Sequence, residues 1–402
     1  MSLPFFTTGS LSIILERYPC WGMRMWLITG LSGKKERACT KEESFMKTKH
    51  LIDLEALSTE ELMEIIALAN DIRENPAAYA ERCRGKILAT LFYEPSTRTQ
   101  MSFKTAMLRL GGSVIGFDNP QNSSVAKGES LKDTITVVGG YADIIAIRHS
   151  MEGTAKAASL YSAAPVINAG DGGHLHPTQT LTDVVTLYNE KGTLDNMCIG
   201  LCGDLKNGRT VHSLIKTMSH FKGNRFVLIS TPELTVPQYI KDVMNASGCR
   251  YTEVSSLAEA IPMLDVLYMT RIQRERFKNY EEYEKQRGVF VLDREKMLRA
   301  RPDMKILHPL PRVDEIAEDV DYDSRAKYFV QTVYGMYARM ALIIKMLENA
   351  DGKPMARKLS THHIRCTNPN CITYTEEYLP HLFRPLGGDM VLCQYCEGRN
   401  LI

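Results

Sequence analysis

At residues 94–112 the chain reads EPSTRTQMSFKTAMLRLGG: a strand-like run, ILATLFY, stops before Pro95, and three hydroxyls and a guanidinium stand at the mouth of a helical pattern. A helix N-terminus presents unpaired backbone N–H groups and a positive dipole end, a ready anion site. Ser96, Thr97 and Thr99 add hydroxyl donors, and Arg98 adds a planar fork that matches phosphate. Taken alone, the stretch fits an ordinary Ser/Thr cap followed by a surface arginine equally well. Its company favours the anion. In open parallel sheets, ligands bind beyond the carboxyl ends of the strands. Arg148 follows DIIAI; His176 and Gln179 follow PVINAG; Arg209 and Thr210 follow CIGLCGD. Arg271 and Gln273 follow DVLYMT, and the stretch from His308 to Arg312 follows MKIL. Cations, hydroxyls and amides at successive strand ends describe a site for an anionic substrate.

Those strand ends need sheets behind them. From about residue 52 the pattern alternates helix and strand. STEELMEIIALANDIRENP opens with Ser58 and Glu61 in capping-box spacing and closes before Pro76. KILATLFY, SVIGF, DIIAIR and PVINAG form one series of short apolar runs; MCIGLCGD, RFVLIS, DVLYMT, VFVL and MKILHPL form a second. Near-continuous apolar strands between helices predict parallel sheets covered on both faces. The expected fold class is α/β: two doubly wound parallel-sheet domains with the active site between them, plus a small C-terminal zinc-binding module. The expected divisions are an N-terminal extension over 1–45, a first domain over 46–192 and a second over 193–327. A helix over 328–350 is expected to return to the first domain, and 351–402 to hold a linker (DGKPMARK) and the zinc module.

Bulk properties exclude other classes. A net charge of +2 over 402 residues leaves no electrostatic footprint for nucleic acid. No run of 18 apolar residues exists, so no membrane span is expected. Residues 1–15 are uncharged and interrupted by Pro4, Thr7, Thr8, Gly9 and Ser10, which lacks the positive start of a signal peptide. The segment reads as a loosely ordered extension, or as sequence upstream of a start near Met46. Of ten cysteines, six sit singly in unlike contexts, so no disulfide framework is read and a reducing cytoplasm is expected.

The other four crowd the tail. Cys366 and Cys371 have four residues between them, Cys393 and Cys396 have two, and 21 separate the pairs. Two close pairs across a short loop form a tetrahedral zinc–thiolate pattern; four free or oxidised thiols are the alternative. A module of this size has too little core to fold unaided, so zinc binding would supply its folding energy in a structural role.

STRT, HPTQTL, GDLKNGRTVHSL, MTRIQ and HPLPRVDEI, spread from about Lys49 to Glu348, resemble the catalytic chains of the aspartate carbamoyltransferase family. STRT and HPTQ are shared by transcarbamylases generally; MTRIQ and HPLPRVDEI look like the aspartate-specific members, ornithine enzymes typically carrying HCLP. The tail, with NPNCI and YCE, resembles the zinc subdomain of that family's regulatory chain, where the module docks on catalytic subunits; the nucleotide-binding half is missing here.

The resemblance implies transfer of a carbamoyl group from carbamoyl phosphate to the α-amine of L-aspartate, with no cofactor in catalysis. Ser96, Thr97, Arg98 and Thr99 would hold the phosphate, Arg148 the phosphate and carbonyl oxygen, His176 the same carbonyl, and Gln179 the carbamoyl amide. Arg209, Arg271 and Gln273 would take the aspartate carboxylates, and the backbone at Pro309 and Leu310 would accept from the amine and amide. Ser124 and Lys127, on the loop NSSVAKGES, would enter a neighbouring subunit's site, implying a homotrimer or higher. Chemistry fits those roles: attack builds charge on the carbonyl oxygen, which Thr99, Arg148 and His176 are suited to stabilise, each such donor being worth about 2.7–4 kcal/mol. Holding two anions at near-attack distance contributes roughly 7–11 kcal/mol more. No side chain stands out as a general base, so a departing phosphate oxygen is the expected proton acceptor. A non-catalytic carbamoyltransferase-like scaffold and an ornithine-using enzyme are the competing readings.

Overall fold

The computed structural model describes residues 49–277, 279–350 and 364–401. The expectations for 1–45 and for the DGKPMARK linker lie outside the described residues. The first sheet holds β1 (Ile87–Phe92), β2 (Ser113–Phe117), β3 (Ile144–His149) and β4 (Val166–Asp171), in the order β2-β1-β3-β4 and all parallel. The second holds β5 (Cys198–Cys202), β6 (Arg225–Ile229), β7 (Arg250–Val254), β8 (Val266–Met269) and β9 (Lys305–Leu307), ordered β7-β6-β5-β8-β9 and again parallel. Both central strands, β1 and β5, are apolar and buried along nearly their whole length, because helices cover both faces.

The runs KILATLFY, SVIGF, DIIAIR and PVINAG become β1 to β4. The second series needs two corrections. VFVL forms no ladder strand; Leu292 makes one isolated bridge to Ile316. β7, with sequence RYTEV, takes the edge instead, and its largely exposed residues are what a strand with one partner allows.

The helices that matter here are α1 (Thr59–Glu74), α2 (Thr97–Arg109), α3 (Leu131–Tyr141), α4 (Thr154–Tyr161), α5 (Pro177–Lys191), α6 (Arg209–Met218), α7 (Gln238–Ala246) and α8 (Tyr328–Glu348). At the start of α1 the capping box is complete: Glu61 N–H donates to Ser58 Oγ over 3.2 Å and Ser58 N–H to Glu61 Oε2 over 2.8 Å. α8 packs against α1, α2 and α5, its Lys345 paired with Glu64 at 3.1 Å. No helix among the described residues is long and apolar enough to cross a membrane.

The tail folds as an antiparallel sheet of β10 (Phe383–Gly387), β11 (Met390–Cys393) and β12 (Arg399–Leu401). It packs on the first sheet's side of the body. Ile372, Leu379, Phe383 and Tyr395 share one buried cluster with Leu131, Ile135, Ala155 and Ala158 of α3 and α4. Backbone bonds fix the register: Glu152 N–H donates to Asn370 O over 2.8 Å and Ile372 N–H to Glu152 O over 2.9 Å. Asn368 Nδ2 reaches Glu152 Oε2 at 2.7 Å.

Candidate active site and metal centre

Three helices begin at one cleft: α2 just after β1, α5 after β4 and α6 after β5. Their N-cap residues, Ser96, His176 and Gly208, make no side-chain capping bond, unlike Ser58 and Ser130 on α1 and α3. Ser96 Oγ instead donates to Thr99 Oγ1 at 3.0 Å. An ordinary Ser cap therefore does not explain the STRT stretch. Three helix starts left uncapped by their own side chains face the same space, a favourable place for negative charge.

The cleft has a volume of about 510 Å³ and lies between the carboxyl ends of the two sheets. Ser96, Thr97, Arg98, Thr99, Arg148, His176 and Gln179 line it from the first half, and Arg209, Arg271, Gln273, Pro309 and Leu310 from the second. Ser124 and Lys127 do not: they sit on an exposed turn at Ser124–Lys127. Six arginines line the cavity, against the single carboxylate of Glu94. That imbalance suits a ligand pair carrying several negative charges.

Arg148 is buried, its Nη2 paired with Glu94 Oε2 at 2.9 Å and its Nη1 donating to Ala169 O at 3.3 Å. Gly170 makes room for it: a β-carbon there would stand 2.7 Å from Arg148 Nη1, at a φ of +121° that only glycine takes freely. Arg209 Nη1 donates to Gly172 O, joining the second half to the turn after β4. Burial and the neighbouring Arg148 lower the Arg209 pKa to about 10, leaving it cationic at neutral pH. Burial, with Arg209 and Arg148 beside it, holds the His176 pKa well below the usual imidazole range. His176 is therefore a neutral imidazole, not an imidazolium.

The turn carrying Pro309 and Leu310 is held from behind. Leu310 N–H donates to His308 Nδ1 at 2.7 Å, so His308 carries its proton on Nε2 and gives it to Glu315 Oε1 at 2.7 Å. Leu310 itself has φ +54°, a conformation that costs a branched side chain energy and survives only where its surroundings enforce it.

Several cleft residues lay outside the sequence reading. Glu94 had a signal, as a carboxylate directly after β1. Arg276 belongs to the same arginine-rich stretch as Arg271, and both line the cleft. Arg339 comes from α8, where its Nη1 donates to Ser102 Oγ at 3.1 Å, and no local pattern marks it. Arg312, grouped with the strand-end cations, turns away to pair with Asp321.

In the tail, Cys366, Cys371, Cys393 and Cys396 bring their sulfurs within 4.8 Å of one another, all four buried. Cys366 and Cys396 Sγ are 3.6 Å apart, and Cys371 and Cys393 Sγ 3.9 Å. Four sulfurs about 2.3 Å from a central ion stand about 3.8 Å apart at tetrahedral corners, so the residues fit a four-thiolate metal site.

Sequence comparison agrees with the cleft. The carbamoyl-phosphate-binding domain model of the aspartate/ornithine carbamoyltransferases matches residues 49–189, and the aspartate/ornithine-binding domain model matches 195–346. The chain belongs to the aspartate/ornithine carbamoyltransferase family, and is a carbamoyltransferase of its aspartate branch. The metal-binding domain model of the aspartate carbamoyltransferase regulatory chain matches residues 360–400. An aspartate carbamoyltransferase catalytic subunit of Clostridium perfringens is 59% identical over 306 residues, 76% of this chain and 100% of that protein. Among solved structures, the catalytic subunit of M. jannaschii aspartate transcarbamoylase is 48% identical with TM-score 0.71, covering 76% of this chain and 100% of that one. The Trypanosoma cruzi enzyme in complex with N-(phosphonacetyl)-L-aspartic acid is 36% identical with TM-score 0.71, covering 75% and 96%.

Proposed function

We propose that this chain transfers the carbamoyl group of carbamoyl phosphate to the α-amine of L-aspartate, giving N-carbamoyl-L-aspartate and phosphate for pyrimidine synthesis. The observation that carries the reading is the convergence of six guanidinium groups and three helix N-termini on one cleft. In this reading Ser96, Thr97, Arg98 and Thr99 cradle the phosphate, and Arg148 spans phosphate and carbonyl oxygen. Neutral His176 donates to that oxygen as the amine attacks and charge builds there. Gln179 holds the carbamoyl amide; Arg209, Arg271 and Gln273 hold the two carboxylates; the carbonyls at Pro309 and Leu310 accept from amine and amide. The new C–N bond forms as the C–O bond to phosphate breaks, and the amine proton leaves on the phosphate. Related structures from Trypanosoma cruzi in complex with carbamoyl phosphate and aspartate support this choice of ligands.

The same reading assigns residues 46–192 to carbamoyl phosphate, 193–327 to aspartate and 351–402 to a linker and structural zinc module. It takes the assembly to be a cytoplasmic homotrimer or higher, in which Ser124 and Lys127 complete a neighbour's site; their exposure and their absence from the lining of their own cleft support this. The zinc assignment rests on four close cysteine sulfurs, a soft tetrahedral ligand set that suits zinc. A colourimetric assay for carbamoyl-aspartate tests the function: product is expected with aspartate and none with ornithine. Product from ornithine alone, or none from either, overturns the reading.

A further inference from the structure

We propose that Glu397, beside the last metal-ligating cysteine, is a positioning residue through which the metal module holds the two halves of the cleft in register. Its carboxylate touches both halves at once. Oε2 lies 3.3 Å from Lys216 Nζ on α6 and 3.5 Å from His174 Nε2 in the turn after β4. Each contact leads directly to the site.

On the first half, His174 is two residues before His176. Its Nδ1 stands 3.3 Å from Asp171 Oδ2, and Asp171 Oδ1 accepts from Leu175 N–H at 3.0 Å. Glu397 thus closes a chain of contacts around the turn that presents His176 and the Gly172 carbonyl. On the second half, Lys216 lies seven residues after Arg209 on α6, two helical turns along the same face. Lys216 is buried, and its amine also lies 3.7 Å from Glu55. The module's described ion pair to the second half is this one.

The backbone of Glu397 argues that its side chain is the reason for the residue. Its φ is +56°, a left-handed conformation in which glycine would be unstrained. A turn selected for shape alone would place glycine there. A carboxylate is found instead, with the Lys216 amine and the His174 ring against it. Because Glu397 follows Cys396, metal ligation fixes its backbone, so the metal site, the module and the cleft form one mechanical unit. Restricting the relative placement of Arg209 and His176 in advance reduces what two anionic ligands must spend to bring the halves together. The inference rests on the two-substrate reading of the cleft.

The test uses the full metal-loaded chain and compares wild type with Glu397→Ala, Lys216→Met and the double variant. Glu397→Ala is expected to raise the KM for aspartate at least about fivefold, as coupling between linked sites does. Metal content stays at the wild-type value, and the double variant is no worse than the worse single. Hydrogen exchange over 171–176 and 209–218 is expected to quicken in each variant. If Glu397→Ala releases metal, Lys216→Met, which touches no ligand, carries the test. Unchanged exchange in both segments overturns the proposal, as do wild-type aspartate KM in both singles or additive losses in the double. A wild-type chain that makes no carbamoyl-aspartate overturns the functional reading instead, and the exchange comparison still decides the role of Glu397.

Discussion

Gln179 Nε2 donates to Asp183 Oδ1 across 2.8 Å, one turn further along α5. The same carboxylate accepts from Gln331 Nε2 at 2.6 Å and from Tyr268 Oη at 2.9 Å, so it gathers donors from α5, α8 and the second sheet. Committing one Gln179 N–H to Asp183 fixes the orientation of its amide. Burial raises the Asp183 pKa to about 7, opposed by these donors.

Asp183→Asn removes the charge and one acceptor oxygen that three donors share, Gln179 and Gln331 on Oδ1 and Tyr268 on Oδ2. One unpaired buried donor costs about 1–3 kcal/mol, so kcat/KM for carbamoyl phosphate is expected to fall about tenfold or more. Adding Gln179→Ala should cost little further, since both act through one amide. Steady-state kinetics of the two singles and the double check this; additive losses contradict it.

The pKa of His174, whose side chain is only 10% exposed, is set by two carboxylates. Burial alone would lower its pKa, but Asp171 and Glu397 outweigh that and raise it to about 10. A raised folded-state pKa contributes stability that is complete below about pH 6.5 and is lost as pH rises through about 10. Denaturant melts of wild type should lose at least about 1 kcal/mol across that window relative to His174→Gln. Parallel pH profiles for the two chains would contradict the assignment.

Much of this architecture is legible in the sequence, for a physical reason. Strands buried on both faces are mostly apolar, so β1, β3, β4, β5, β6 and β8 announce themselves. The edge strand β7 carries polar residues on its open face and escapes notice, while VFVL is apolar because it packs, without pairing into a ladder. Site residues that follow strands, such as Arg148 and His176, can be found by position. Arg339 and Asp183 cannot: each sits inside a helix and reaches the site region only through packing between elements distant in the chain. Likewise nothing local separates Arg276, which faces the cleft, from Arg312, which pairs with Asp321.

Metal removal should act on the tail first. Its apolar residues are few and share their cluster with α3 and α4, so without the four-thiolate site the module lacks a core of its own. Calorimetric melts with a strong chelator are expected to show a new low-temperature transition ahead of the body. Superimposable melts with and without chelator contradict this.

Shared sites make a prediction that no single-subunit site can satisfy. Arg98→Ala and Lys127→Ala are each expected to abolish turnover, yet mixed subunits of the two should regain activity. A trimer holding both kinds contains a neighbour pair whose damage falls entirely in one site, leaving another intact. Mixtures no more active than their components after subunit exchange contradict the shared site.

The central claim is that phosphate and dicarboxylate are bound by separate cation sets facing one cleft. Calorimetric titration with carbamoyl phosphate, and with succinate as a dicarboxylate that lacks the amine, measures it directly. Arg98→Ala should weaken carbamoyl phosphate at least about 100-fold, as loss of paired charge-assisted hydrogen bonds does. Arg271→Ala should weaken succinate by a similar factor while leaving carbamoyl phosphate near its wild-type affinity. Wild-type binding of carbamoyl phosphate by a folded Arg98→Ala chain, or of succinate by a folded Arg271→Ala chain, would contradict it.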